Sequence, residues 1–241
     1  MIEAVLFDLG DTLIRHESND PRHYFEHGVR LAYDYLDGIG VSLPALPTYA
    51  RRVRRRMLWT FVRTRLQRRE IRPIESLQEI HRQMGIALST AQTESLARHY
   101  FEPMRRSTAL DADAPAVLAR IRDAGLPMGI ISNTFTPPFA IDEQLGEQGI
   151  LDYFPVRVYS CEVGVLKPHP KIFRVALEAL GVSPENSLYV GDRPFVDVKG
   201  ASRVGMRTVL KIGDRSRRRG RHRPDYTIRR LTELPAILDN V

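Results

Sequence analysis

The feature that most constrains this chain is where its strands fall. One short apolar run, Ile2-Glu3-Ala4-Val5-Leu6-Phe7, opens the sequence and ends in Asp-Leu-Gly-Asp-Thr, which reads as a buried parallel strand feeding a turn. From about Arg15 to Thr108 the spacing becomes helical throughout. A helix is predicted over residues 24–36. Val53, Met57, Leu58, Phe61, Val62 and Leu66 mark one face of a long helix whose other positions are largely arginine. Shorter helices are predicted over 74–84 and 91–101, with Pro44, Pro47, Pro73 and Pro103 as punctuation. Trp59, the sole tryptophan, is read as part of the core of this stretch.

Beyond residue 108, strand and helix alternate. Helices are expected over 113–124, closed by Gly125, and over 141–148, 171–180 after Pro168, 196–203 and 231–238. Strands are expected over 126–131, 156–159, 187–190 and 207–210. Such alternation predicts an α/β fold, a doubly wound Rossmann-like parallel sheet. Its core would comprise residues 1–14 and 108–241, with an all-helical module inserted over 15–107.

Composition narrows the setting. In 241 residues, 43% hydrophobic and 27% charged content is an ordinary globular balance. The single cysteine, Cys161, excludes an intramolecular disulfide and points to a reducing cytoplasm. No secretion signal is visible, and no apolar run approaches the roughly 20 residues that span a bilayer. The net charge of +7 rests on arginine, since only Lys167, Lys171, Lys199 and Lys211 are lysines among 36 basic residues. The excess gathers over 51–72 and at Arg215, Arg217, Arg218, Arg219, Arg221 and Arg223. No nucleic-acid signature accompanies it, so both places read as a solvated helix face and a loop. A monomer or homodimer with neither nucleic-acid nor membrane partners is expected.

Ligands of an open parallel sheet gather beyond the carboxyl ends of its strands. There the sequence places Asp8, then Ser132-Asn133-Thr134, then Lys167, then Gly191-Asp192 with Asp197 five residues on. Neighbouring carboxylates repel unless a cation offsets them, and hard oxygen ligands suit Mg²⁺. A lysine and a hydroxyl beside such a metal can hold the oxygens of a transferring phosphoryl group. A carboxylate aimed at phosphorus can act as nucleophile.

The segments VLFDLGDTL, GIISNT, GVLKPHPKIF and LYVGDRPFVDVKGASRVGM, in this order, resemble the four signature motifs of the haloacid dehalogenase-like superfamily. The resemblance covers the whole predicted core, and the helical insertion resembles that family's first type of cap. It implies Asp8 as nucleophile and Mg²⁺ ligand, and Ser132 as a phosphoryl donor helped by amides around Asn133. Lys167 would neutralise Asp8 and the phosphoryl oxygens. The Gly10 carbonyl and Asp192 would complete the metal site, Asp197 would hold a metal-bound water or orient the lysine, and Thr12 would support the loop. The family's phosphatases read Asp-x-Asp-Gly-Thr, the second Asp being the general acid. Here glycine stands at position 10. Asp11 as a substitute, leaving groups that need little protonation, or a cap residue such as His16, Glu17 or His23 are the alternatives.

Three functions follow. The leading one is a Mg²⁺-dependent phosphatase of a small anionic phosphorylated metabolite, acting through an aspartyl-phosphate. The second is a carbon–halogen hydrolase, which also lacks the second Asp but needs no metal and typically lacks the Gly-Asp of the last motif. The third is a non-catalytic binder of phosphorylated ligands.

Overall fold

The first strand, β1 (Ala4–Phe7), has all four residues buried, as a continuous apolar run in a parallel sheet requires. The structure is a computed structural model that describes residues 1–16, 21–67, 71–213 and 222–240. After β1 the chain forms β2 (Ile14–His16), then the helices α1 (Pro21–Gly38), α2 (Leu46–Gln67), α3 (Pro73–Arg82) and α4 (Thr90–Arg106). It returns through β3 (Thr108–Leu110), which pairs with β2 as a two-stranded sheet. The alternating part follows: α5 (Ala114–Asp123), β4 (Met128–Ser132), α6 (Pro138–Glu147), β5 (Val156–Tyr159), α7 (Ser160–Val163) and α8 (Pro170–Leu180). It ends with β6 (Ser187–Gly191), α9 (Lys199–Ser202), β7 (Arg207–Lys211), β8 (Tyr226–Ile228) and α10 (Leu234–Leu238).

Two compact units result. One comprises Met1–Arg15, Ala109–Thr134 and Asp142–Val241; the other comprises His16–Thr108 and Phe135–Ile141. In the first, six strands run in the order β5-β4-β1-β6-β7-β8, every neighbouring pair parallel. The fold is therefore α/β and Rossmann-like. From β1 the chain moves outward through β4 and β5, then crosses back to β6 and moves outward on the other side. That reversal makes the carboxyl ends of β1 and β6 the topological switch point, where such sheets bind ligands. On one side of the sheet Leu6, Ile131 and Tyr189 pack with Phe173, Leu177 and Ala201 of α8 and α9.

The helical unit has its own core, built from Val29, Leu36, Tyr49, Val53, Leu77, Ile80, Leu96 and Tyr100 among others. The expected apolar face of α2 is only partly right. Tyr49 and Val53 are buried, but Leu58 is 60%, Trp59 68% and Val62 50% exposed. At about 100° per residue, positions 49, 53 and 57 share one side, while 58, 59 and 62 fall well round the helix from it. Trp59 is not part of the core. The side chains of Phe61 and Leu66 lie outside the described residues, as do Arg215 to Arg221 and Glu17.

Other elements shift. α4 runs through Pro103 and ends one turn later, at Arg106. β4 begins at Met128 and takes in Ser132. The helix expected over 196–203 is a π-helical turn, Pro194–Val198, followed by the short α9. β8, α7 and the β2–β3 pair have no counterpart among the sequence expectations.

Candidate active site

Every residue singled out for chemistry in the core motifs lies in the sheet-bearing unit, and strand register explains their meeting. Phe7 is level with Ile130 on one side and with Val190 on the other. Asp8, one position further, and Ser132 and Asp192, two positions further, thus emerge at one end of three adjacent strands. The Asp8 amide donates to the Val190 carbonyl at 2.8 Å, carrying the ladder one step past β1.

Lys167 approaches from the loop before α8 and is 3% exposed. Its backbone is clamped by one side chain. The Lys167 amide donates to Asn133 Oδ1 at 2.8 Å, and Asn133 Nδ2 donates to the Lys167 carbonyl at 3.1 Å. The ammonium donates to Asp8 Oδ1 at 2.5 Å, Asp197 Oδ1 at 2.8 Å and the Tyr189 hydroxyl at 2.8 Å, which employs all three of its protons. Burial alone would depress this lysine, but Asp197 and Asp8 reverse the effect and hold its pKa above the usual value.

Tyr189 was missed by the motif reading. It sits on buried β6, where an aromatic residue ordinarily means core. Burial and the charges of Asp197 and Asp8 raise its pKa, so its neutral hydroxyl accepts from Lys167. Asp197 is also buried, its Oδ2 accepting from the Arg193 amide at 2.9 Å. Gly191 lets this happen, because a Cβ there would lie 2.5 Å from the Asp197 side chain.

The carboxylates are the unbalanced part. Asp8, Asp192 and Asp197 each present an oxygen within 4.8 Å of the others. Asp8 is pushed up to about 6, chiefly by burial, with Lys167 opposing and Asp197 adding to the rise. Asp192 is pushed up to about 8 by burial and then by the charges of Asp8, Asp197 and Asp11. Its buried Oδ1 has no hydrogen-bond partner. An orphaned carboxylate oxygen beside two more carboxylates is a donor set that fits a hard divalent cation.

The first loop has two distinctive positions. Asp11 adopts φ +56°, a left-handed conformation that Asp tolerates better than most residues, and its charge is felt by Asp192. A Cβ added to Gly10 would meet nothing within 4 Å. Thr12 is fully buried and donates to Asp8 Oδ2 at 3.3 Å. Ser132 is buried at the end of β4. His23 lies in the helical unit, edge-on to His27 at 4.2 Å between ring centres.

Sequence comparison places the chain in a family: the profile of haloacid dehalogenase-like hydrolases matches residues 2–205, so the chain belongs to that family. The phosphoserine phosphatase of Thermus thermophilus is 39% identical over 118 residues, 49% of this chain and 46% of that protein. The glyceraldehyde 3-phosphate phosphatase of Methanopyrus kandleri is 40% identical over 128 residues, 51% of this chain and 53% of that one. The chain thus spans about half the length of these curated relatives. A HAD phosphatase structure from Thermococcus onnurineus matches 98% of both chains at 27% identity and a TM-score of 0.62. A 2-haloacid dehalogenase from Pseudomonas syringae matches 100% of this chain and 99% of its own at 23% identity and a TM-score of 0.67, a likeness of fold.

Proposed function

We propose that the protein is a Mg²⁺-dependent phosphatase of small phosphorylated metabolites, working in the cytoplasm through an aspartyl-phosphate on Asp8. The observation that carries this reading is the orphaned Asp192 Oδ1 beside Asp8 and Asp197. Three clustered carboxylates, Asp8 and Asp197 buried and Asp192 half-buried, with one lysine beside them call for a further cation, which a carbon–halogen hydrolase does not need. The phosphatase names of partial relatives and of the Thermococcus structure support the same class.

Asp8, Asp192 and the Gly10 carbonyl would hold the metal, and Asp197 would reach it through water. When bound, Mg²⁺ offsets the carboxylates and the phosphoryl oxygens. Ser132 and the amides around Asn133 bind the phosphoryl group, and Lys167 neutralises its charge while orienting Asp8. An Asp8 oxygen attacks phosphorus, the bond from phosphorus to the ester oxygen breaks, and the leaving oxygen takes up a proton. Water then attacks the aspartyl-phosphate, releasing inorganic phosphate and restoring the carboxylate. With glycine at position 10, substrates whose leaving oxygen needs little protonation turn over best, and Asp11 is the acid to test. Substrate selection is assigned to the helical unit as the family's cap.

The test is phosphate release from p-nitrophenyl phosphate and a panel of phosphorylated metabolites, with Mg²⁺ and with chelator. Metal-dependent turnover is expected, and Asp8→Asn should lower it by on the order of 10³-fold or more. Metal-independent chloride release from 2-chloropropionate would overturn the reading. Intact metal binding with no turnover of any ester would favour the non-catalytic alternative.

A further inference from the structure

Lys211 ends β7 with its side chain 2% exposed, and none of the chemistry above uses it. Its ammonium donates to the main-chain carbonyl of Thr12 at 2.6 Å and to Asp111 Oδ2 at 2.7 Å. Asp111 is itself buried and accepts from Arg15 at 2.9 Å on the same oxygen, while its amide donates to the Leu13 carbonyl at 2.8 Å. The segment 12–15 is therefore tied on its far side by a lysine and a carboxylate that belong to other strands or their ends. On its near side, the Thr12 hydroxyl donates to Asp8 Oδ2 at 3.3 Å, the oxygen that Lys167 does not contact.

Sinking an ammonium into a sheet is costly even when it is paired, and an apolar side chain at the end of β7 would pack at less expense. A simple charge partner for Asp111 is already present in Arg15. What Lys211 adds is the fixed donor on Thr12. We propose that Lys211 is a positioning residue for Asp8: by anchoring the Thr12 carbonyl it fixes the hydroxyl that orients the carboxylate. This rests on Asp8 being the nucleophile. A displacement of about 1 Å at an attacking group can cost roughly 10²-fold in rate. Losing the anchor therefore acts on the chemical step and leaves phosphoryl binding at Ser132 and Lys167 in place.

Two variants separate positioning from charge balance. Lys211→Met removes the anchor and leaves Asp111 buried with Arg15 alone, so both kcat and thermal stability fall. The double variant Lys211→Met with Asp111→Asn removes both charges, so stability recovers. Positioning predicts that its kcat stays about 10- to 100-fold below wild type while KM changes less than about twofold. Recovery of wild-type kcat in the double variant would overturn the proposal, because the lysine would then only neutralise Asp111. A crystal structure of the double variant gives a second readout independent of turnover. Loss of the contact between Thr12 Oγ1 and Asp8 is expected, and its retention would also overturn the proposal. A wild-type protein inactive on every ester would count against the phosphatase reading, and the crystallographic outcome would still decide the role of Lys211.

Discussion

Gly10 is a vacancy with room in it. Because an added Cβ meets nothing within 4 Å, Gly10→Asp should fold normally and return the family's usual acid to the loop. General acid help is worth about 10²–10⁴ in rate, so kcat on an alkyl phosphate should rise by on the order of 10²-fold. On p-nitrophenyl phosphate, whose leaving group needs little protonation, the gain should be small. Equal effects on both substrates would sink the proton-transfer account, and an Asp11→Asn variant of unchanged activity would exclude Asp11 as substitute acid. Asp192 supplies a second residue-level prediction. Its folded pKa of about 8 lies far above its ordinary 3.8, chiefly through burial and then the charges of Asp8, Asp197 and Asp11. The folded metal-free protein thus binds more protons than the unfolded chain between about pH 4 and 8. Stability from this group is present at low pH and is lost as pH rises through the folded pKa. Thermal melts without metal should show Asp192→Asn gaining on wild type as pH rises from 6 to 8, and Mg²⁺ should remove most of that gain. A difference independent of pH and metal would contradict the assignment. Asp8, Asp192 and Asp197 were legible in the sequence because each follows a strand end or a short turn beyond one. Tyr189 and Lys211 were not, because a polar group at the tip of a buried strand residue leaves no trace in an apolar pattern.

Among the elements, α4 is the one whose start is written most openly. Ser89 accepts from the Gln92 amide at 3.2 Å and Gln92 Oε1 accepts from the Ser89 amide at 2.9 Å, a reciprocal cap. Ser89→Ala should cost about 1 kcal/mol, read as a lower denaturant midpoint for the helical unit. Inside that unit a polar pair is buried. His81 Nδ1 donates to the Leu77 carbonyl at 2.7 Å, so Nε2 accepts the Tyr49 hydroxyl at 2.8 Å. Burial lowers the His81 pKa below 6.5. The unfolded chain therefore takes up this proton first, and the contribution to stability is present above about pH 6.5 and is lost as pH falls below it. Melts from pH 7.5 to 5 should show that slope, and His81→Gln should flatten it; an unchanged slope would place the acid sensitivity elsewhere. Neither feature was read in advance, although S-T-A-Q stands plainly at the start of α4. The misreading of α2 has a different cause. Counting apolar residues at helical intervals joined Val53 to Leu58 and Val62, but only the buried Tyr49 and Val53 show which side faces the core. β8 escaped because three residues after an arginine-rich run carry too little pattern to announce a strand.

Charge is a property of the whole molecule, and here it bears on capture rather than on chemistry. The chain carries +7 at neutral pH, almost all of its excess as arginine, which stays protonated under any working condition. Such a field draws an anionic phosphate ester toward the protein over distances of about a Debye length, ~10 Å at 0.1 M salt. The reacting groups are insulated from it. Lys167 and Asp197 are almost wholly buried and Asp8 nearly so, and salt screens buried pairs weakly. Added KCl should therefore lower kcat/KM for a phosphate dianion through KM while kcat stays nearly constant. Raising ionic strength from about 0.02 to 0.5 M should move KM severalfold, since the Debye length contracts several times over that range. A parallel fall in kcat would mean that salt reaches the carboxylate cluster itself, through competition for the metal or loosening of the Lys167 contacts. Repeating the titration at saturating Mg²⁺ separates those two causes, because only competition for the metal is reversed by more of it. A KM indifferent to salt would show that the arginines serve solubility alone and that recognition is confined to the short-range donors around Ser132 and Lys167.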